Sequence, residues 1–215
     1  MQSDLILQQP VTVARSELVL LFHGVGSSAE DLAPLGQALA AARPQSWVVS
    51  VQAPHPCDFG QGRQWFSVQG VTEANRPQRV AAAMPTFVNQ VEAWQRHTGV
   101  GAEGTTLLGF SQGAIMALES SQRAAPPIAS RVVAIAGRFA QPPRRAPADV
   151  AVHLLHGEQD QVMPITLAVE AQRELSALGV PTTLDRFPGL GHGIDARVVD
   201  SILQRWPTSH EEAAP

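Results

Sequence analysis

Apolar residues along this chain fall into two alternating rhythms. Short, nearly unbroken runs at Glu17–Phe22, Trp47–Val51, Thr105–Phe110, Arg131–Ile135 and Val150–Leu155 predict strands buried on both faces. Segments with helical spacing lie between them. Leu32, Leu35 and Leu39 mark a helix to about Ala42, with Asp31 as a candidate cap and Pro34 in its first turn. Asn75 and Gln78 resemble a capping box that opens a helix carrying Val80, Met84, Phe87, Val91 and Trp94 on one side; Pro85 is expected to kink it. An apolar helix follows Ser111. Further on come helix Ile165–Leu178, strand Thr182–Phe187 and a last helix around Ala196–Trp206. Leu5–Leu7 and Val11–Val13 are candidates for a short N-terminal hairpin. Strands and helices alternate from end to end, which predicts a mostly parallel central sheet with helices on both faces. The 215 residues suit one such core. The expected division is a single α/β domain over 1–208 and a short frayed tail at 209–215.

Composition narrows the class without naming a chemistry. Apolar residues make up 44% of the chain and its formal charge is −4; the mean hydropathy of −0.02 and pI near 5.9 fit a soluble protein. That balance offers no electrostatic reason to expect nucleic acid or an anionic membrane as partner. No apolar run approaches the roughly 20 residues that cross a bilayer, so membrane insertion is not expected. The start, Met-Gln-Ser-Asp-Leu-Ile-Leu, lacks a basic segment followed by a long apolar one, so no signal peptide is expected. Cys57 is the only cysteine, which excludes an internal disulfide and fits a reducing compartment; the cytoplasm is the expected address.

The candidate chemistry begins where a strand runs into a helix through Gly109-Phe-Ser111-Gln-Gly113. A chain that passes so abruptly from one to the other must turn sharply at the serine. The flanking glycines let neighbouring backbone come close, as in the nucleophile elbow of the α/β-hydrolase fold. A serine hydroxyl needs a base, and in that fold the acid and then the histidine follow the serine in chain order. Strand Val150–Leu155 runs into His156-Gly-Glu158-Gln-Asp160, and strand Thr182–Phe187 runs into Leu190-Gly-His192-Gly193. Asp160 can accept the Nδ1 hydrogen of His192, leaving Nε2 for the proton of Ser111. Glu158 and Asp195 are rival acids, Asp195 being better suited to cap the last helix. The negative charge formed on a substrate oxygen needs two N–H donors. Gln112, next after the nucleophile, supplies one. Val25, between Gly24 and Gly26 after the first buried strand, is the candidate for the other.

Two other chemistries do not fit the sequence. Gly24-Val-Gly26-Ser-Ser-Ala29 has the look of a dinucleotide loop, but no acidic residue ends the next strand and no phosphate-binding lysine follows. His153 and His156 are three apart on a strand and point to opposite faces, and no HExxH or cysteine cluster exists, so no metal site is expected.

With Leu-Phe-His23-Gly-Val-Gly, Gly-Phe-Ser111-Gln-Gly-Ala, His156-Gly-Glu-Gln-Asp160, Gly-His192 and Gly62-Arg-Gln-Trp-Phe-Ser-Val-Gln-Gly70 assembled, the chain resembles the phospholipase/carboxylesterase family, which contains the acyl-protein thioesterases. The likeness covers about residues 4–206. It implies a cofactor-free serine esterase or thioesterase acting on a small-molecule acyl ester through Ser111, Asp160 and His192, with the Val25 and Gln112 N–H groups as oxyanion hole. A catalytically silent hydrolase fold used for binding, or an acyltransferase or perhydrolase with the same residues, is the alternative. Between the strands ending near Ile135 and starting near Val150 only the Pro-rich stretch 141–149 intervenes, so no separate cap domain is expected. The open site would then be walled by loops: Trp65 and Phe66 from the long connection 53–74, with Met163 and Leu190 facing them. Plain core packing is the alternative for Trp65.

Overall fold

The computed structural model describes residues 3–11 and 17–206. In chain order the elements are strands β1 (Leu5–Gln8) and β2 (Glu17–Phe22), helix α1 (Ala33–Ala42), strands β3 (Ser46–Val51), β4 (His55–Pro56) and β5 (Arg63–Gln64), and helix α2 (Arg76–Thr98). Strand β6 (Thr105–Phe110), helix α3 (Gln112–Ser120), strands β7 (Arg131–Ile135) and β8 (Ala151–Gly157), helix α4 (Thr166–Ala177), strand β9 (Thr182–Phe187) and helix α5 (Ala196–Arg205) follow. Seven strands form one sheet in the order β1-β3-β2-β6-β7-β8-β9. All its pairings are parallel except β1 on β3.

The buried runs read as strands because the sheet has a core on each face. Alternate residues of β2 divide between them: Leu18, Leu20 and Phe22 pack with residues of α2, α3 and α4, while Val19 and Leu21 pack with residues of α1 and α5. Leu18–Phe22 are fully buried, and each such side chain stabilises the fold by about 1.5–3 kcal/mol relative to exposure. A Leu20→Ala change would cost about 2–5 kcal/mol.

Local details depart from the sequence pattern in three places. Asp31 is not the cap of α1. A 3-10 turn over Ala29–Leu32 precedes that helix, and from its third position Asp31 accepts the Ser28 N–H (2.9 Å) and the Ser27 hydroxyl (2.7 Å). Asn75 precedes α2 without capping it, because its amide is committed to the preceding turn, accepting from Thr72 N–H and donating to the Gly70 carbonyl. Pro85 lies inside α2, where the sequence pattern puts it. The connection after β3 contains a two-stranded ribbon, β4–β5, whose two-residue strands leave no periodicity to read. Strand β1 pairs with β3, and residues 12–13 of its expected hairpin partner lie outside the described residues, as does 207–215.

Candidate active site

The chain leaves β2 toward β3 on one side of the sheet and later returns to β6 on the other. Such a reversal opens a crevice outside the carboxyl ends of the two central strands. The loop after β2 and the elbow after β6 both lie there. At the elbow Ser111 has φ 53° and ψ −115°, a left-handed backbone that costs a non-glycine residue about 1–3 kcal/mol. It is held by hydrogen bonds from Ser111 N–H to the Ile135 carbonyl (3.0 Å) and from Ile115 N–H to the Ser111 carbonyl (3.1 Å). The two glycines of the motif are required by contact. A Cβ at Gly109 would stand 2.4 Å from Ala114 N, and one at Gly113 2.1 Å from the Phe22 carbonyl oxygen.

Asp160 and His192 arrive on loops joined to each other. Gln159 N–H donates to the Leu190 carbonyl (2.9 Å) and Glu158 N–H to that of Phe187 (3.0 Å), so the turn after β8 and the turn after β9 form one layer. Within it His192 Nδ1–H donates to Asp160 Oδ2 at 2.7 Å, and the Ser111 hydroxyl donates to His192 Nε2 at 2.9 Å. The Asp160 carboxylate is fully buried and the His192 ring is 18% exposed. Burial alone would raise the Asp160 pKa. Hydrogen bonds from Met163 N–H, His192 and Val162 N–H outweigh burial and hold it below the usual carboxylate value, so Asp160 stays charged. The rival carboxylates are engaged elsewhere: Glu158 with Arg186 (2.9 Å), and Asp195 as the N-cap of α5, accepting from Arg197 N–H and Val198 N–H.

The loop after β2 packs on the elbow, a Cβ at Gly24 falling 3.2 Å from Ser111 Cβ. His23, unassigned by the sequence pattern beyond its place in the motif, holds this loop. Its Nε2 accepts Ala53 N–H (3.1 Å), so Nδ1 carries the proton and donates to the Gly24 carbonyl (2.7 Å). Burial lowers the His23 pKa and keeps the ring neutral, the state those two bonds require. Gly26 N–H then donates to the Arg63 carbonyl, tying the loop to the β4–β5 ribbon. Val25 is exposed at the loop's tip. Gln112 opens α3, where a backbone N–H has no helical acceptor.

Two of the expected wall residues are elsewhere. Trp65 is 1% exposed and Phe66 6%, both inside the core beside Phe22 and Phe87. Trp65 is fixed there by its indole N–H on the His23 carbonyl (2.8 Å) and edge-on contacts with both phenyl rings. The Gln112 side chain completes the anchoring, accepting from Trp65 N–H (2.8 Å) and donating to the Phe66 carbonyl (2.7 Å). Met163 and Leu190 are half-buried on the two loops that carry Asp160 and His192. The connection from β7 to β8 holds no helix. It is fastened to the end of α3 instead, with Ala140 N–H on Glu119 and the Arg144 and Arg145 N–H groups on Gln122. A groove of about 510 Å³ between α2 and that end of α3 is lined by none of the residues just described around Ser111. Among the described residues no three metal-ligating side chains gather, and no helix is long and apolar enough to cross a membrane.

Known proteins resemble the chain over nearly its whole length. The sequence profile of the phospholipase/carboxylesterase family matches residues 9–208. Esterase YpfH of Escherichia coli (strain K12) is 47% identical over 198 residues, 92% of this chain and 84% of that protein. The crystal structure of esterase PE8 superposes with a TM-score of 0.83 at 29% identity, covering 94% of this chain and 96% of the other. The Bacillus cereus carboxylesterase, at 16% identity and a TM-score of 0.79, covers 94% and 92% and shares the fold.

Proposed function

The chain belongs to the phospholipase/carboxylesterase family of α/β-hydrolases, and from that premise we propose that it is a serine carboxylesterase working through an acyl-enzyme. The observation that carries the reading is the placement of His192 between Ser111 Oγ (2.9 Å) and Asp160 (2.7 Å). Ser111 Oγ attacks the ester carbonyl carbon as its proton passes to His192 Nε2. The carbonyl oxygen becomes an oxyanion and is met by the N–H groups of Val25 and Gln112, the latter at the positive end of α3. Asp160, charged and buried, stabilises the imidazolium. The tetrahedral intermediate then collapses: the C–O bond breaks, His192 returns the proton to the leaving alcohol, and the acyl group stays on Ser111. Water repeats the cycle through the same base and releases the acid.

The substrates we propose are soluble short-to-medium acyl esters. A site without a helical cap offers loop walls only, here Met163 and Leu190, and each acyl methylene they cover adds up to about 0.8 kcal/mol. No rate jump is expected where such an ester forms micelles. The decisive experiment combines fluorophosphonate labelling with hydrolysis of p-nitrophenyl esters of graded chain length. Labelling at Ser111 and its loss in Ser111→Ala are expected; an unlabelled wild-type protein that turns over no ester would end the proposal.

A further inference from the structure

Asp160 has a second imidazole beside it. His156, near the end of β8 and 2% exposed, brings Nε2 to 2.6 Å from the Met163 carbonyl and 3.3 Å from Asp160 Oδ2. A carbonyl oxygen only accepts, so the hydrogen is on His156 Nε2 and is given to the Met163 carbonyl, while Asp160 Oδ2 stands within electrostatic reach. Ionised, Asp160 offers about four lone-pair positions. Oδ1 takes Val162 N–H and Met163 N–H, at 2.8 Å each, and Oδ2 takes His192 Nδ1–H at 2.7 Å. The His156 ring nitrogen faces Oδ2 at 3.3 Å. A carboxylate held at both oxygens cannot turn about its Cβ–Cγ bond without losing donors. The same N–H clasps Met163, whose own N–H is already on Asp160, so the turn from 160 to 163 is closed against the strand that bears it.

We propose that His156 is a positioning residue of the reaction: as a neutral Nε2–H donor to the Met163 carbonyl it closes the turn whose N–H groups hold the Asp160 carboxylate, and through that carboxylate it directs the His192 ring. This rests on Asp160 serving as the triad acid. The ionisable groups that bear on His156 are Asp160, from its own loop, and His192, from the loop after β9. Glu158, nearer in sequence, is turned to Arg186. Burial lowers the His156 pKa and keeps the ring neutral, as a donor placed next to an imidazolium must be.

The test replaces His156 by Leu, which removes the donor, and by Gln, whose Nε2 can reach the same place. Misdirecting a base by a fraction of an ångström lowers turnover steeply. His156→Leu is expected to lower kcat on the order of ten- to hundredfold with KM unchanged. With the turn no longer clasped, the Val162 and Met163 N–H groups hold Asp160 less firmly, and the carboxylate becomes more basic toward His192. The acid limb of kcat/KM should therefore move to higher pH. His156→Gln should restore most of the rate and return the limb. A Leu variant with wild-type kcat, or one slowed alike at every pH and not rescued by Gln, overturns the proposal. The wild-type protein carries an independent check in its imidazole nitrogen NMR. His156 should remain the neutral Nε2–H tautomer from pH 8 to below 6, and an Nδ1–H tautomer or an ordinary titration would overturn the role. Fluorophosphonate kinetics separate this inference from the esterase reading. Equal labelling rates in wild type and His156→Leu defeat this one alone, whereas a wild-type Ser111 that does not label defeats both.

Discussion

The molecule holds two clusters of one serine, one aspartate and at least one histidine, drawn in part from the same two strands. Ser111, His192 and Asp160 stand beyond the carboxyl ends of β6, β9 and β8. His153 and Asp185 lie within β8 and the edge strand β9, and Ser201 meets them from α5. In the first cluster the histidine is the link: one ring nitrogen meets the serine and the other the acid. In the second the aspartate is the link, Oδ2 taking His153 Nε2–H (3.0 Å), the Ser201 hydroxyl and the Arg205 Nε–H together. Burial would raise the Asp185 pKa, but Arg205, Ser201 and His153 overcome it and hold the group far below the usual carboxylate value. The serine there is hydrogen-bonded to a carboxylate and not to an imidazole, and that carboxylate is paired with an arginine. Composition therefore does not make the geometry of a triad; the order of the hydrogen bonds does.

The sharpest way to break this contrast is to remove each serine. Ser111→Ala should lower kcat on the order of 10⁴–10⁶-fold, since base and acid achieve little without the nucleophile. Ser201→Ala should leave ester turnover within about twofold and cost about 1 kcal/mol of stability, one hydrogen bond's worth. A Ser201 variant as dead as the Ser111 variant would erase the distinction.

The acids come next and should separate in kind. Asp160→Asn presents the wrong partner to His192 Nδ1 and is expected to lower kcat by about 10³–10⁴-fold with little change in melting temperature. Asp185→Asn should do the reverse: activity per folded molecule is kept, while the loss of charge-assisted bonds to Arg205 costs about 1–3 kcal/mol in denaturant titration. Arg205 is 43% exposed and can turn to water, which limits that cost.

The first cluster was legible in the sequence and much around it was not, for a physical reason. An elbow is a local demand, met by Gly109, Ser111 and Gly113 within one turn, and the acid and histidine follow from strand order. Trp65 and Phe66 carried no such local mark. Their burial depends on Phe22, Phe87 and the Gln112 side chain, all remote in sequence. The same holds for His23 and His156, whose tautomers are set by the Ala53 N–H and the Gly24 carbonyl in one case and by the Met163 carbonyl in the other. Asn75 and Asp31 mark helix starts correctly in kind and miss in role, because the turns before the helices claim their side chains. The fold came through because buried runs and helical spacing are themselves local.

Acid should loosen the molecule in a way the two clusters share. Burial lowers the pKa of His23, His153 and His156 from 6.5, so the unfolded chain binds protons that the folded one refuses. Asp160 and Asp185 are lowered as well, from 3.8. Every one of these shifts makes stability rise with pH where the group titrates in the unfolded chain. The melting temperature should be level above about pH 7, begin to fall near pH 6.5 as unfolded histidines protonate, and fall further near pH 4. His153→Gln should flatten the first part of that fall. A melting temperature that climbs between pH 7 and pH 5 would contradict the assignment of neutral histidines to both clusters.

The smallest expected effects test whether the first cluster has only one acid. Glu158 and Asp195 flank it in sequence and each could in principle serve His192. Glu158 Oε1 is 2.9 Å from Arg186 at the surface, and exposed pairs of this sort contribute about 0.2–1 kcal/mol. Asp195 caps α5 through Arg197 N–H (3.0 Å) and Val198 N–H (3.2 Å), and asparagine caps a helix about as well as aspartate. What Asp195→Asn removes is the charge at the helix start and the pairing with Arg197, each a matter of a few tenths of a kcal/mol at an exposed site. Both Glu158→Gln and Asp195→Asn should thus keep kcat within about twofold and shift the melting temperature by no more than a degree or two. If Asp195→Asn instead lowers kcat as far as Asp160→Asn does, His192 has a second acid in solution, and the order of hydrogen bonds that separates the two clusters is not the one that turns over.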